Sequence, residues 1–171
     1  VVGLDDTGAD PPPSWYRQKL VDDMRKANVD NANKILKDPR VSMVIVRMTI
    51  PVGASPTDRI DATVHVPPAC GTKSLAGGYL LSCRLREVMV LGGIPKEGPD
   101  AATVEGAVIT GSVERPDDPK IGRVLGGGRV RKEVPFKIIL KDERKSVRVA
   151  AMIETVVNQR FPQTQGVNQK G

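Results

Sequence analysis

The cleanest alternation of apolar and polar positions lies between Arg59 and Val66. Ile60, Ala62, Val64 and Val66 fall on one side, and Asp61, Thr63 and His65 on the other. A period of two predicts a half-buried strand. Val41–Ile50, rich in β-branched residues and bounded by Pro39 and Pro51, predicts another. Tyr79–Leu91 reads as one long strand or two with a bend, and Thr103–Ser112 as a strand with a bulge at Gly106. Arg123–Val134 is interrupted by Gly126, Gly127 and Gly128 and predicts a hairpin turning at the glycines. Phe136–Leu140 predicts a short strand. Gly92-Gly93 with Pro95–Pro99 predicts a loop, and Glu114–Lys120 another.

Helical spacing occurs towards both ends. Ser14 is a good N-cap, and Trp15, Leu20 and Met24 recur at helical intervals, widened by Val21 and Ala27. Ile35 and Leu36 suggest a second short helix, stopped by Asp38-Pro39. Ser146 caps a third, running to about Gln159, with Val149, Ala150, Ile153, Val156 and Val157 as its buried stripe. Val1–Pro13 and Lys141–Lys145 read as loop and turn. The order of elements predicts an α+β fold with mixed, mainly antiparallel strands and a helix near each end. Residues 1–162 form the folded region, with a split into two small subdomains near 92–102, and 163–171 form a flexible tail.

Composition narrows this picture. With aromatics at 3% of 171 residues, the core must be built from Val, Ile, Leu, Ala and Met. No apolar run approaches the ~18 residues of a membrane-spanning helix. No charged-then-apolar leader opens the chain, whose abrupt start on Val1-Val2-Gly3-Leu4 reads as a piece of something longer. The net charge of +6 is concentrated: Arg115–Arg148 carries 11 basic and 5 acidic residues, and the rest is neutral. Such a patch is either a solvated face or a site for an anionic partner, with Arg123, Arg129, Arg131 and Lys132 as candidates. Cys70 and Cys83 flank a glycine turn and permit a disulfide, or stand as two free thiols.

Little here looks catalytic. The triple glycine is followed by strand-like Val130–Pro135 rather than a helix bearing Lys and Ser/Thr, which disfavours a phosphate loop. Asp5, Asp6 and Asp10 lack the spacing of a calcium loop. His65 with Asp58 or Asp61 could be drawn as part of a triad, but no Gly-x-Ser-x-Gly elbow exists and His65 points outward from its strand. No metal, cofactor or small-molecule substrate is expected. Nucleic-acid binding is disfavoured because the basic window offers only Phe136 for stacking.

One segment resembles a known family. Ile60-Asp61-Ala62-Thr63-Val64, followed by Thr72-Lys73-Ser74-Leu75-Ala76-Gly77-Gly78-Tyr79-Leu80-Leu81, is similar to the strand and Lys-Ser-Leu-x-Gly-Gly turn of the bacterial flagellar P-ring protein family. Val1–Gly8, Val104–Gly111 and Gly122–Pro135 resemble further family motifs in the same order, with Asp6 standing where the family has Gly. The resemblance implies a structural, non-enzymatic subunit that assembles with copies of itself in the periplasm. The ring would surround the flagellar rod at the level of the peptidoglycan. It makes Asp61, Lys73, Ser74, Leu75, Gly77 and Gly78 scaffold or contact residues, with Lys73 the choice for an intersubunit contact. The alternative is a binding module for an anionic polymer, nucleic acid or cell-wall glycan, using the 115–148 window.

Overall fold

A computed structural model describes residues 1–91, 94–111, 115, 117–135, 138–141 and 146–160, with the side chains of 88–91 and 94–97 outside that set. In chain order the elements are α1 (Trp15–Lys26), α2 (Ala32–Ile35), β1 (Ile45–Arg47), β2 (Ile60–His65), β3 (Tyr79–Leu91), β4 (Ile94–Ala107), β5 (Ile109–Thr110), β6 (Ile121–Val130) and α3 (Val147–Arg160). The fold is α+β, with antiparallel strands and a helix towards each end, as the alternation and spacing predict. Backbone contacts divide the chain into two units, Val1–Pro135 and Phe136–Gly171.

In the first unit Ser14 is extended and its Oγ accepts the Arg17 N–H at 3.2 Å, so α1 starts immediately after it. Val21 is the buried residue of α1, and Leu20 and Met24 flank it against Ala32 and Leu36. Trp15 departs from the expected stripe. It is 63% exposed, edge-on to Tyr16 and beneath the Lys19 ammonium. Helical spacing marks a face but not its covered length, and α2, one turn long, covers only the part around Val21.

The strands form one sheet in the order β1-β2-β6-β4-β3, with β5 also paired to β6. Every pairing is antiparallel. The strand expected over Val41–Ile50 shrinks to three residues. Val41 and Ser42 instead meet the chain start, where Ser42 N–H donates to Val1 O at 2.9 Å and Val2 bridges both Val41 and Tyr79. Apolar β-branched sequence was satisfied there by two different partners. The loop expected at Pro95–Pro99 is strand, lying in β4 opposite the far half of β3. Proline is tolerated because β6 reaches β4 only at Ala102–Val104, so no third strand needs the missing N–H. Gly92 and Gly93 lie outside the described residues, and the interval 92–102 falls within this hairpin.

The triple glycine is the largest correction. It is no hairpin turn: β6 runs straight through it as the central strand. A Cβ on Gly127 would stand 2.3 Å from the Glu105 carbonyl oxygen of β4, and one on Gly128 2.7 Å from the Ile60 carbonyl oxygen of β2. The glycines therefore admit two neighbouring backbones. Only Gly126 needs special dihedrals, at φ +58°, where the β2–β6 register shifts between Ile60 and Ala62.

The inner face carries the core: Leu4, Ala62, Val64, Leu75, Leu80, Val104, Val108 and Val124, with Val46, Met48, Cys83 and Leu85 packed against it. It is wholly aliphatic apart from sulfur, as the composition requires. In the second unit, residues 138–140 take neither helix nor strand, so the strand expected at Phe136–Leu140 is not formed over its described part. Phe136, Lys137, 142–145 and 161–171, with the predicted tail, lie outside the described residues. α3 starts after Ser146 as expected, but its stripe is not buried. Val149 and Val156 are exposed, Ile153 and Val157 only half-covered. A period shows that a face exists, not that anything packs on it.

Candidate functional site

The Lys73–Gly78 turn is held by its backbone. Lys73 N–H donates to Thr7 O at 2.8 Å, Thr7 Oγ1 donates to Ser74 O at 2.7 Å, and Leu75 N–H donates to Pro119 O at 2.8 Å. Ser74 Oγ accepts the Ala76 N–H at 3.1 Å, and Gly78 N–H returns to Leu75 O at 3.1 Å. This small hydrogen-bonded turn drives Leu75 into the core, where it is 0% exposed. Gly77 has φ +72° and open space beside it, whereas a Cβ on Gly78 would stand 2.8 Å from Leu4 Cδ2. The two glycines thus serve different needs, a left-handed turn and a close contact. Beneath them Thr72 is buried and shares a 2.7 Å hydrogen bond with Ser42. Lys73 itself is exposed, and its ammonium has no ion-pair partner among the described residues.

Asp61 projects from the outer side of β2. Its Oδ1 accepts the Gly126 N–H at 2.8 Å, and its Oδ2 accepts from Arg123 Nη2 at 3.0 Å. One carboxylate thereby fixes the bulge of the central strand. Sequence reasoning singled out Asp61 and Gly126 separately; nothing in their spacing of 65 residues joins them.

The outer face of the sheet is rich in arginine. Arg84 of β3, Thr103 of β4 and Arg129 of β6 are register partners across three strands and so share a face. Arg123, next to the buried Val124 and in register with Thr63, lies on that side too, as does Arg47 opposite Thr63 on β1. Asp100 gathers three more contacts: Arg86 Nε at 2.9 Å, Arg131 Nη1 at 3.2 Å and Arg84 Nη1 at 3.8 Å. The hydrogen bond from Arg86 holds the Asp100 carboxyl below its ordinary range, and the neighbouring arginines add to the effect. Of the basic-window candidates, the fold therefore brings Arg123, Arg129 and Arg131 to one side of the sheet. Lys132 lies just past the end of β6 and is exposed. Arg47, Arg84 and Arg86 come from outside that window, and only strand register could have found them.

The other candidates do not converge. Cys70 and Cys83 are free thiols, so the permitted disulfide is not formed. Cys70 is buried beside Thr72 Oγ1, whereas Cys83 faces the core opposite Val104, where burial raises its pKa. His65 is titrated downward by burial and by Arg47. Neither drawn triad carboxylate orients it: Asp58 accepts the Ser55 N–H, and Asp61 is committed to Gly126 and Arg123. Asp10 pairs with Arg17. Among the described residues no group of three His, Cys, Asp or Glu side chains could hold a metal ion, and no helix is long and apolar enough to cross a membrane.

The turn is pinned by its backbone and the bulge is locked by a carboxylate, and comparison with known proteins shows the family. The family model for the flagellar P-ring protein matches residues 1–170. The chain belongs to the flagellar P-ring protein family. Flagellar P-ring proteins similar to it include that of Syntrophus aciditrophicus, 32% identical over 138 residues, covering 80% of this chain and 34% of the relative. That of Oleidesulfovibrio alaskensis is 30% identical over 148 residues, covering 80% and 36%. That of Aquifex aeolicus is 27% identical over 177 residues, covering 94% and 46%. The chain thus spans less than half the length of these P-ring relatives. Asp6, where the family motif carries Gly, has φ +50°, a left-handed backbone that glycine adopts at no cost.

Proposed function

We propose that this chain is a structural part of a periplasmic ring that closes around the flagellar rod by repeated contact between copies, and that it performs no catalysis. The observation that carries the reading is the P-ring family match across residues 1–170. The motif turn agrees with it: Gly77 and Gly78 shape a turn pinned to the core through Leu75. A ring needs a heterologous contact repeated until it closes, and needs no reaction centre. Asp61, Ser74, Leu75, Gly77 and Gly78 act as scaffold. Lys73, exposed on the turn, is the intersubunit contact. Electron microscopy and native mass spectrometry of the full-length protein test this directly. Closed rings are the expected result; a persistent monomer at high concentration would refute it.

A second reading draws on the arginine face. Arg47, Arg84, Arg86, Arg123, Arg129 and Arg131 suit an anionic neighbour, and peptidoglycan, with its carboxylates, is the polymer at the proposed location. Co-sedimentation with purified peptidoglycan should fall steeply between 50 and 200 mM salt on general counterion grounds. Binding unchanged by salt, or by Arg129→Ala with Arg131→Ala, would remove this reading and leave the ring untouched.

A further inference from the structure

The sheet ends unequally. At one end is β1, three residues long. At the other is β3, 13 residues long and, among the described residues, paired on one side only, apart from the single bridge of Tyr79 to Val2. β6 accompanies β4 only across Ala102–Val104. Beyond that point, among the described residues, Arg86–Leu91 and Ile94–Asp100 pair with each other alone. They make a two-stranded ribbon of about 20 Å at the usual rise per residue. Its base is fixed by Asp100, bound to Arg86 on β3 and Arg131 beyond β6. Its sequence includes Val88-Met89-Val90-Leu91 and Ile94, an apolar run on an element that meets no third strand among the described residues.

Two strands alone are marginal in water, and exposed edges of this length are normally blunted or paired. β3 has neither proline nor lysine along its length. The opposite end of the sheet has the matching want. Val41–Ile50 has the composition of a ten-residue strand, yet only Ile45–Arg47 pairs with β2. Val44, Val46 and Met48 are only partly covered by the core.

We propose that the β3–β4 ribbon of one copy adds as a strand to the outward edge of β1 in the next copy, lengthening β1 towards Ile50. Backbone N–H and C=O groups left over on both edges supply the affinity, and the apolar side chains of Val44, Val46 and Met48 gain cover. The inference rests on the ring reading, which requires two different surfaces on each copy. A ribbon and a β1 edge are different, so the contact can repeat. Pairing of β3 with β3 would be twofold and would stop at a dimer.

The test uses the full-length protein, assembled from an equal mixture of unlabelled and nitrogen-15-labelled chains. A photo-crosslinking benzoylphenylalanine replaces Glu87, an exposed residue of β3, and in a second variant Thr49, exposed just beyond β1. Circular dichroism selects the variants that fold. The expected product is a mixed-isotope adduct joining residue 87 to the 44–50 segment, and reciprocally residue 49 to the β3–β4 ribbon. Rings whose adducts map elsewhere, or only within one copy, would overturn the strand-addition contact while leaving the ring intact. Absence of any oligomer would overturn both.

Discussion

Replacing the three β6 glycines singly with alanine separates a turn from a crowded central strand. At a hairpin turn the residue with positive φ should be the costly one. In this structure the order is reversed. Gly126 has φ +58°, but its added Cβ would meet nothing closer than Arg59 Cβ at 3.5 Å. The penalty for Gly126→Ala is therefore conformational, about 1 kcal/mol. Gly127 has ordinary φ, but its Cβ would lie 2.3 Å from the Glu105 carbonyl oxygen and 2.4 Å from Val124 Cγ1. Normal contact requires roughly 1 Å more on both sides, and one obstacle is backbone in a paired strand. Overpacking of this kind costs about 1–3 kcal/mol, and the rigid carbonyl puts Gly127→Ala at the upper end, about 3 kcal/mol. Gly126→Asn, which tolerates the left-handed region, should cost only a few tenths. Urea unfolding followed by circular dichroism reads these values. With a slope of about 1.5 kcal/mol per molar for a domain this size, the midpoint falls by about 2 M for Gly127→Ala and about 0.7 M for Gly126→Ala. Equal midpoints, or a larger loss at Gly126, would refute the argument that close strand approach is why these residues are glycine.

Leu75→Ala, at a side chain with no exposed surface, should cost about 2–5 kcal/mol by the same unfolding assay, and a loss under 1 kcal/mol would mean the turn is not anchored in the core. Asp61→Ala removes both the Gly126 and the Arg123 bonds and should destabilise by about 1–2 kcal/mol, whereas Asp61→Asn keeps an acceptor for Gly126 and should lose about half of that. Because the Asp100 pKa is lowered in the folded chain, its stabilisation is complete above the unfolded carboxylate range near pH 4 and is lost as pH falls through the folded value; Asp100→Asn should flatten that acid limb. His65, also lowered, is a base that protonates more readily when unfolded, so its contribution declines as pH drops below about 6.5, and His65→Gln should remove that part of the pH profile.

The parts legible in the sequence were those written in local chemistry. Ser14 and Ser146 mark helix starts, and the 60–65 alternation gives β2 with its faces correctly assigned. The motif turn was likewise visible as Lys73–Gly78. What stayed hidden depends on partners distant in the chain. Glycine signals both freedom and closeness, and only the carbonyls of Ile60 and Glu105 decide which applies at 127 and 128. Val41–Ile50 looks uniform, yet Val2 takes one end and β2 the middle. The arginine face is assembled by register from residues at 47, 84, 86, 123, 129 and 131, so a charge window in sequence caught only its β6 share.

The sheet order has a consequence for how the chain acquires its shape. β6 is the last strand of its unit to be synthesised, yet it occupies the middle, between β2 and β4. Until it arrives, β1–β2 is one antiparallel pair and β3–β4 another, each with the flank that β6 will fill still open. The glycine segment pairs with partners more than 20 residues upstream on both sides, non-local contacts of the kind that slow folding. Narrow side-chain-free passages at Gly127 and Gly128 are what let that last insertion seat.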